Sequence, residues 1–282
     1  MSDFKELPHL LRLLDDESEV VRSAVKDRLL RFEADLPSLI AYLPVVLETP
    51  LKGQLTSVYR EAQRENFVSL WSATMETAGE LPKKLESALG LISDYLDDRP
   101  LSGKKLGDRL DGLAAEMAIG EVKTSGMNLV GKLFQSGRFK GNREDYYSPE
   151  NSNLLWVIDE GKGNPISLVS LLILIGDRLG VSVGGCNYPG HFLAQVEENG
   201  AGTILIDCYN GGEVVDPDEL LDAPAAFSEM SSVLKKAAPV DVILLRYLRN
   251  LQNAFHRKKR REDQRMVARL ISELASNDLS AG

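Results

Sequence analysis

Apolar positions along the first part of the chain follow a helical period. In LPHLLRLLDDESEVVRSAVKDRLLRF, Leu10, Leu13, Leu14, Val21, Val25, Leu29 and Leu30 recur near the 3.6-residue repeat. Asp15 and Asp16 interrupt the pattern, and Ser18 can restart a helix as its cap. Helical patterns continue through 55–76, 81–96 and 106–117, the last preceded by the loop RPLSGKK. Residues 126–141 are richer in glycine and basic residues and are read as a connector. From 142 the pattern changes. Asn151 and Ser152 precede LLWVIDEG as a cap before a short helix. GKGNPISLVSLLILIGDRLG then reads as a turn, a helix apolar nearly all round, and a basic and glycine stop. A helix apolar on every side is a buried one. VSVGG, HFLAQVEE and TILIDCYNG follow as short β-type runs separated by Gly, Asn and Pro. A buried helix followed by antiparallel strands predicts an α+β core. From Pro239 the pattern is helical to near the end.

LPSLIAYL at 36–43 echoes LPHLLRLL at 7–14. The pair of short helices with an acidic turn resembles one HEAT-type repeat. About three such repeats are needed to stand alone, so this region is expected to pack on the rest of the chain. The organisation read from these patterns is a helical HEAT-like and lead-in region at 1–125, a core at 126–238 and a helical carboxy-terminal segment at 239–282.

Composition narrows the function classes. At 43% hydrophobic and 27% charged residues over 282 positions, the chain has the make-up of a globular protein. It carries two cysteines, Cys186 and Cys208, too few for a disulfide framework or a Cys-rich zinc site. No cofactor and no metal is expected. The 33 basic and 42 acidic residues leave a net charge of −9, which argues against a whole-surface nucleic-acid binder. MSDFKELPHL lacks a basic start, an apolar run and a small-residue cleavage site, so no signal peptide is read. The longest apolar stretch, 166–176, falls short of the roughly 20 residues of a membrane span, and a cytoplasmic protein without membrane association is expected.

Three motifs carry a family resemblance. GNREDYYSPENSNLLWVIDEGKGNPISLVSLLILIGDRLG, then YPGHFLAQV, then LIDCYNGG, in this order and spacing, resemble the transglutaminase-like core of the bacterial SirB-one family. The resemblance covers 142–215 strongly, and SALGLISDYLDDRPLSGKKLGDRLDGLAAEM resembles that family's helical lead-in. The wider transglutaminase and papain-like superfamily works with Cys, His and Asp. Its Cys sits at the first turn of the central helix, where the helix dipole favours thiolate. The resemblance places that position on Pro165, and implies His191 as the base and Asp207 as its orienting carboxylate. Proline removes the thiol. It also removes a backbone N–H that in the superfamily helps to stabilise the oxyanion, and losing one such donor typically costs about 10²–10³ in rate. Proline is also a sound first helical residue behind an Asn164 cap.

Other residues compete for roles. Ser167 lies about 200° around a helix from Pro165 and should face elsewhere. Cys208, next to Asp207 on a strand, should point to the opposite face, into the core. Cys186, five residues before His191 across a Tyr-Pro-Gly break, is the better candidate for a relocated thiol. Asn142, Asp145, Tyr146 and Tyr147 in GNREDYY either line the cleft or form a loop bonded to its own backbone. Asn210 is expected near the cleft rim, and Asn164 and Asn210 are counted with the loop residues as candidate binding residues. Arg257 to Arg261 is an unbroken basic run, either a solvated helix face or a contact for RNA or an acidic partner. The reading that follows is a non-catalytic binding or scaffold module with a protein or peptide partner. The alternatives are a cysteine hydrolase or acyltransferase with a relocated thiol, and a nucleic-acid-associated factor acting through the basic helix.

Overall fold

The computed structural model describes residues 6–14, 16–30, 49–77, 79, 81–97, 105–120, 124–188, 190–198, 202–217 and 236–280. The LPSLIAYL segment at 36–43 lies outside them. Contacts group the chain into two compact units, one of Met1–Leu70 with Asp98–Gly103, the other of Trp71–Asp97 with Lys104–Gly282. In the first unit, α1 (Leu7–Arg12) and α2 (Glu19–Leu30) are joined by the acidic turn. Asp16 accepts the Ser18 N–H at 2.9 Å, and Ser18 offers its carbonyl to the Arg22 N–H at 3.0 Å, so the chain enters α2 where the sequence suggests. α3 spans Thr49–Glu76, with its residues up to Leu70 in this unit and those from Trp71 in the second.

The second unit holds an α+β core. α8 (Pro165–Leu179) is its axis, and every residue from Ile166 to Gly176 is buried. Asn164 caps it by accepting the Ser167 N–H at 2.9 Å, Pro165 opens it, and Gly180 (φ 68°) closes it in the left-handed conformation. Around α8 stand α4 (Leu81–Leu96), α5 (Leu106–Ala118), α7 (Leu154–Glu160) and α9 (Val240–Arg257), all in contact with it. The apolar stripe of α4 (Leu85, Ala88, Leu89, Ile92) is fully buried, as an amphipathic helix requires. α10 (Arg261–Ser280) packs on α9. Asp263 at its first turn, 3% exposed, accepts the Tyr95 hydroxyl of α4 at 2.6 Å.

On another side of α8 lies an antiparallel meander in the order β3 (Val183–Cys186), β4 (Leu193–Glu198), β5 (Gly202–Asp207), β6 (Glu213–Val215). Gly176 lets β3 approach α8: a Cβ there would stand 2.9 Å from Val183 Cγ2. A separate parallel pair, β1 (Lys140–Gly141) and β2 (Lys162–Gly163), ties the chain before the 142–147 loop to the entry of α8.

Two expectations need correction. Residues 126–141 are not a mere connector. They form α6 (Gly126–Val130), which widens into a π-type turn at Gly131–Gln135, and Leu129, Val130, Leu133 and Phe134 are buried. Asn153, not Asn151, caps α7, accepting the Trp156 N–H at 3.1 Å. Among the described residues no helix is long and apolar enough to cross a membrane.

Candidate functional site

Three segments meet at the amino end of α8. Pro165 comes from the helix, His191 and Phe192 from the approach to β4, and Asp207 from the end of β5. With Arg143, Tyr146, Tyr209 and Asn210 they surround a cleft of about 400 Å³. A smaller depression of about 270 Å³ beside it shares Arg143, Tyr209 and Asn210 and adds Lys140 and Lys162.

The carboxylate of Asp207 is 8% exposed and bonded within its own turn. Oδ1 accepts the Tyr209 and Asn210 N–H groups at 3.0 and 3.1 Å, and Oδ2 accepts the Asn210 side-chain amide at 2.8 Å. Asn210 Oδ1 in turn accepts Arg143 Nη2 at 2.6 Å. His191 lies two residues before β4 begins, is exposed, and donates its backbone N–H to Tyr188 at 3.1 Å. The antiparallel register Ala194↔Ile206, carried one step further, sets Leu193 opposite Asp207, so His191 is a diagonal neighbour on the same face. Among the described residues, however, no hydrogen bond joins the two side chains. The expected bonded pair is corrected accordingly: the turn holds the carboxylate with three bonds of its own, and the imidazole lies before β4, outside the strand that would aim it.

The polar–aromatic loop is built from inside. Asn142 and Asn151 are buried, and Asn142 Nδ2 donates to Asn151 Oδ1 at 2.8 Å. Asn151 Nδ2 donates to the carbonyls of Asp145 and Tyr146 at 2.8 and 3.0 Å. Tyr146 stands edge-on to Tyr209 and reaches the cleft, their centroids 5.9 Å apart. Asp145 is turned outward to Lys258 at 2.9 Å, and Tyr147 lies under the Arg257 guanidinium at 3.7 Å from the ring centroid. The structure thus brings His191, Asp207, Tyr146 and Asn210 to one cleft around Pro165. It puts Asn142 beside the smaller depression, and uses Asn164 as a helix cap, Asp145 as a surface ion pair and Tyr147 as a stacking platform. Sequence reasoning missed Arg143, Phe192 and Tyr209, and gave the buried Asn151 a capping role in place of its loop-bonding one. Asn151 lies in a single 3-10 turn, Pro149–Ser152, too short for its loop-bonding role to leave a periodic signal.

Neither thiol lines the cleft. Cys186 is buried among Tyr188, Leu193 and Leu205, and burial pushes its pKa up to about 11. Cys208 is fully buried, and burial, with the charge of Asp207 beside it, pushes its thiol well above the ordinary range. Ser167 is also buried, its hydroxyl donating to the Asn164 carbonyl at 3.0 Å.

A family model described as the transglutaminase-like superfamily matches residues 105–249. A UPF0162 protein of Xylella fastidiosa is similar to the chain at 32% identity over 173 residues, covering 59% of the chain and 60% of that relative. A UPF0162 protein of Pseudomonas aeruginosa is 31% identical over 192 residues, covering 63% of the chain and 67% of that protein. Human F-box only protein 21 is 38% identical over 94 residues, 31% of the chain and 15% of that protein. No solved structure matches the chain at a significant level.

Proposed function

We propose, from the premise that this chain belongs to the transglutaminase-like superfamily, that it is a binding or scaffold module of the SirB-one type whose cleft keeps the frame of a cysteine enzyme without the nucleophile. One observation carries the reading: Pro165 lines the cleft at the first turn of α8, together with His191 and Asp207. The position that supplies thiolate in the superfamily has neither a sulfur nor a backbone N–H here. The cleft still offers what a peptide ligand needs. Aromatic surface comes from Tyr146, Phe192 and Tyr209, and polar groups from Arg143, His191 and Asn210. On this reading the HEAT-like helices at the amino end extend the scaffold, and the partner is a protein or peptide.

The relocated-thiol alternative is weaker. A Cys186 thiol with a pKa of about 11 is ionised to roughly one part in ten thousand at neutral pH, and its burial denies substrate access. The expected result is that the natural protein and a Cys186→Ala, Cys208→Ala variant are equally inert toward glutamine-containing and ester substrates. Turnover that disappears in the variant would overturn the binding-module reading in favour of the thiol enzyme. Pro165→Cys is expected to gain slow acyl-enzyme formation, visible as a mass adduct with an activated ester.

A further inference from the structure

Residues 253–269 carry seven basic and two acidic side chains on a chain of net charge −9. They form the corner between α9 and α10, and a groove of about 1020 Å³ opens along it. His256, Arg257, Lys259, Arg261, Gln264 and Arg265 line it, and among its lining residues there is no carboxylate and no ring other than the His256 imidazole.

The cations divide by partner. Lys258 is paired with Asp145 and Arg260 with Asp263, and neither lines the groove. Arg265 is bonded to Glu262 in an exposed pair, which holds it weakly. Lys259 and Arg261 have no ion-pair partner among the described residues. The backbone adds an independent observation. Arg260 N–H donates to the Phe255 carbonyl at 2.9 Å and Lys259 N–H to the His256 carbonyl at 3.1 Å. These two bonds close a helix through a left-handed residue that is usually glycine. Here that residue is Lys259, φ 58°, alone among the described non-glycine residues in having a positive φ. A side chain is strained there, and strain is kept where function repays it. The side chain kept in place of glycine is a long cation lining the groove.

We infer that this groove binds an acidic segment of a partner protein. The guanidinium forks of Arg261 and Arg265 match carboxylates two bonds at a time, and Arg257, stacked on Tyr147, adds its charge to the groove wall. Gln264 supplies a donor and an acceptor for a peptide backbone. Nucleic acid fits less well: the His256 imidazole is the one ring among the lining residues, too few to stack successive bases. The inference stands apart from the cleft and holds whether or not the cleft is catalytic.

The test is fluorescence anisotropy of the full chain with a labelled octaglutamate peptide, beside octaglutamine and a short oligouridine. Octaglutamate is expected to bind best and to weaken as salt rises. The Lys259→Gly, Arg261→Gln double variant is expected to lose about tenfold or more in affinity. Its melting temperature should be no lower than that of the natural protein, because glycine suits the left-handed site. Equal binding of octaglutamate and octaglutamine, or a double variant that binds as the natural protein does, overturns the inference. Tighter binding of oligouridine overturns it in favour of nucleic acid.

Discussion

Gly141→Ala is expected to lower stability by about 2–3 kcal/mol and to disrupt the cleft. A Cβ at this position would lie 2.6 Å from Tyr209 Cε2 and 2.7 Å from its Cδ2 and Cζ. The backbone cannot retreat. Gly141 pairs with Gly163 in β1–β2, its own N–H donates to the Tyr209 carbonyl at 3.2 Å, and the next N–H, of Asn142, donates to Gly163 at 2.8 Å. The ring must move instead. It stands edge-on to Tyr146, faces the Arg143 guanidinium and donates its hydroxyl to the Asn142 carbonyl at 3.3 Å. Overpacking of this kind costs about 1–3 kcal/mol, and the severity of the overlap puts it in the upper part of that range. Urea unfolding monitored by tryptophan fluorescence would measure it. A midpoint equal to that of the natural protein would show that the ring is free to yield.

Asn151→Ala is expected to cost about 3 kcal/mol and to release the 142–147 loop. Asn151 is fully buried, and it joins the Asn142 amide to the carbonyls of Asp145 and Tyr146. Alanine leaves the Asn142 amide and the Tyr146 carbonyl without these partners, each costing on the order of 1–3 kcal/mol where water does not reach it. The Asp145 carbonyl keeps the Ser148 N–H at 3.1 Å, which keeps the total near the lower end. The loop itself then loses its inner anchor, and the outer contacts remain: the Lys258 and Lys162 ion pairs, the Arg257 stack and the bond from Arg143 to Asn210. Two readouts follow: a lower unfolding midpoint, and fast tryptic cleavage after Arg143 under native conditions. A variant as protease-resistant as the natural protein would show that the outer contacts suffice.

Elements governed by neighbours in sequence were legible in advance. The central helix announces itself through Asn164 and Pro165 at its start, an unbroken apolar run, and Leu179-Gly180 at its end. The lead-in helix at 81–96 shows its stripe plainly. The connector reading of 126–141 failed because glycine was counted as a breaker where it serves close approach. A Cβ at Gly126 would meet Val196 Cγ1 at 2.2 Å, so the residue is small to let α6 lie on β4. The buried positions 129, 130, 133 and 134 nevertheless repeat at helical spacing. For the site, motif order marked His191, Asp207 and Pro165, and these share a cleft. What stayed hidden depends on partners far apart in sequence. Arg257 over Tyr147, Lys258 against Asp145 and Arg143 on Asn210 each join segments that no periodicity connects. The partnering of the Asp207 carboxylate was hidden for a nearer reason: hydrogen bonds inside a turn leave no pattern in hydrophobicity.

The two buried thiols give this chain an internal clock. Cys186 ends β3 and Cys208 follows β5, and both have 0% of their surface exposed. A maleimide or disulfide reagent reaches either sulfur only when the packing around it opens, so under native conditions the alkylation rate counts local openings of the meander. Equal rates at the two positions would mean that the strands open as one cooperative unit. A faster rate at Cys186 would mean that β3, an edge of the meander, peels off first. Single-alanine versions at each cysteine separate the two signals, and the chain reports its own breathing without an added probe site.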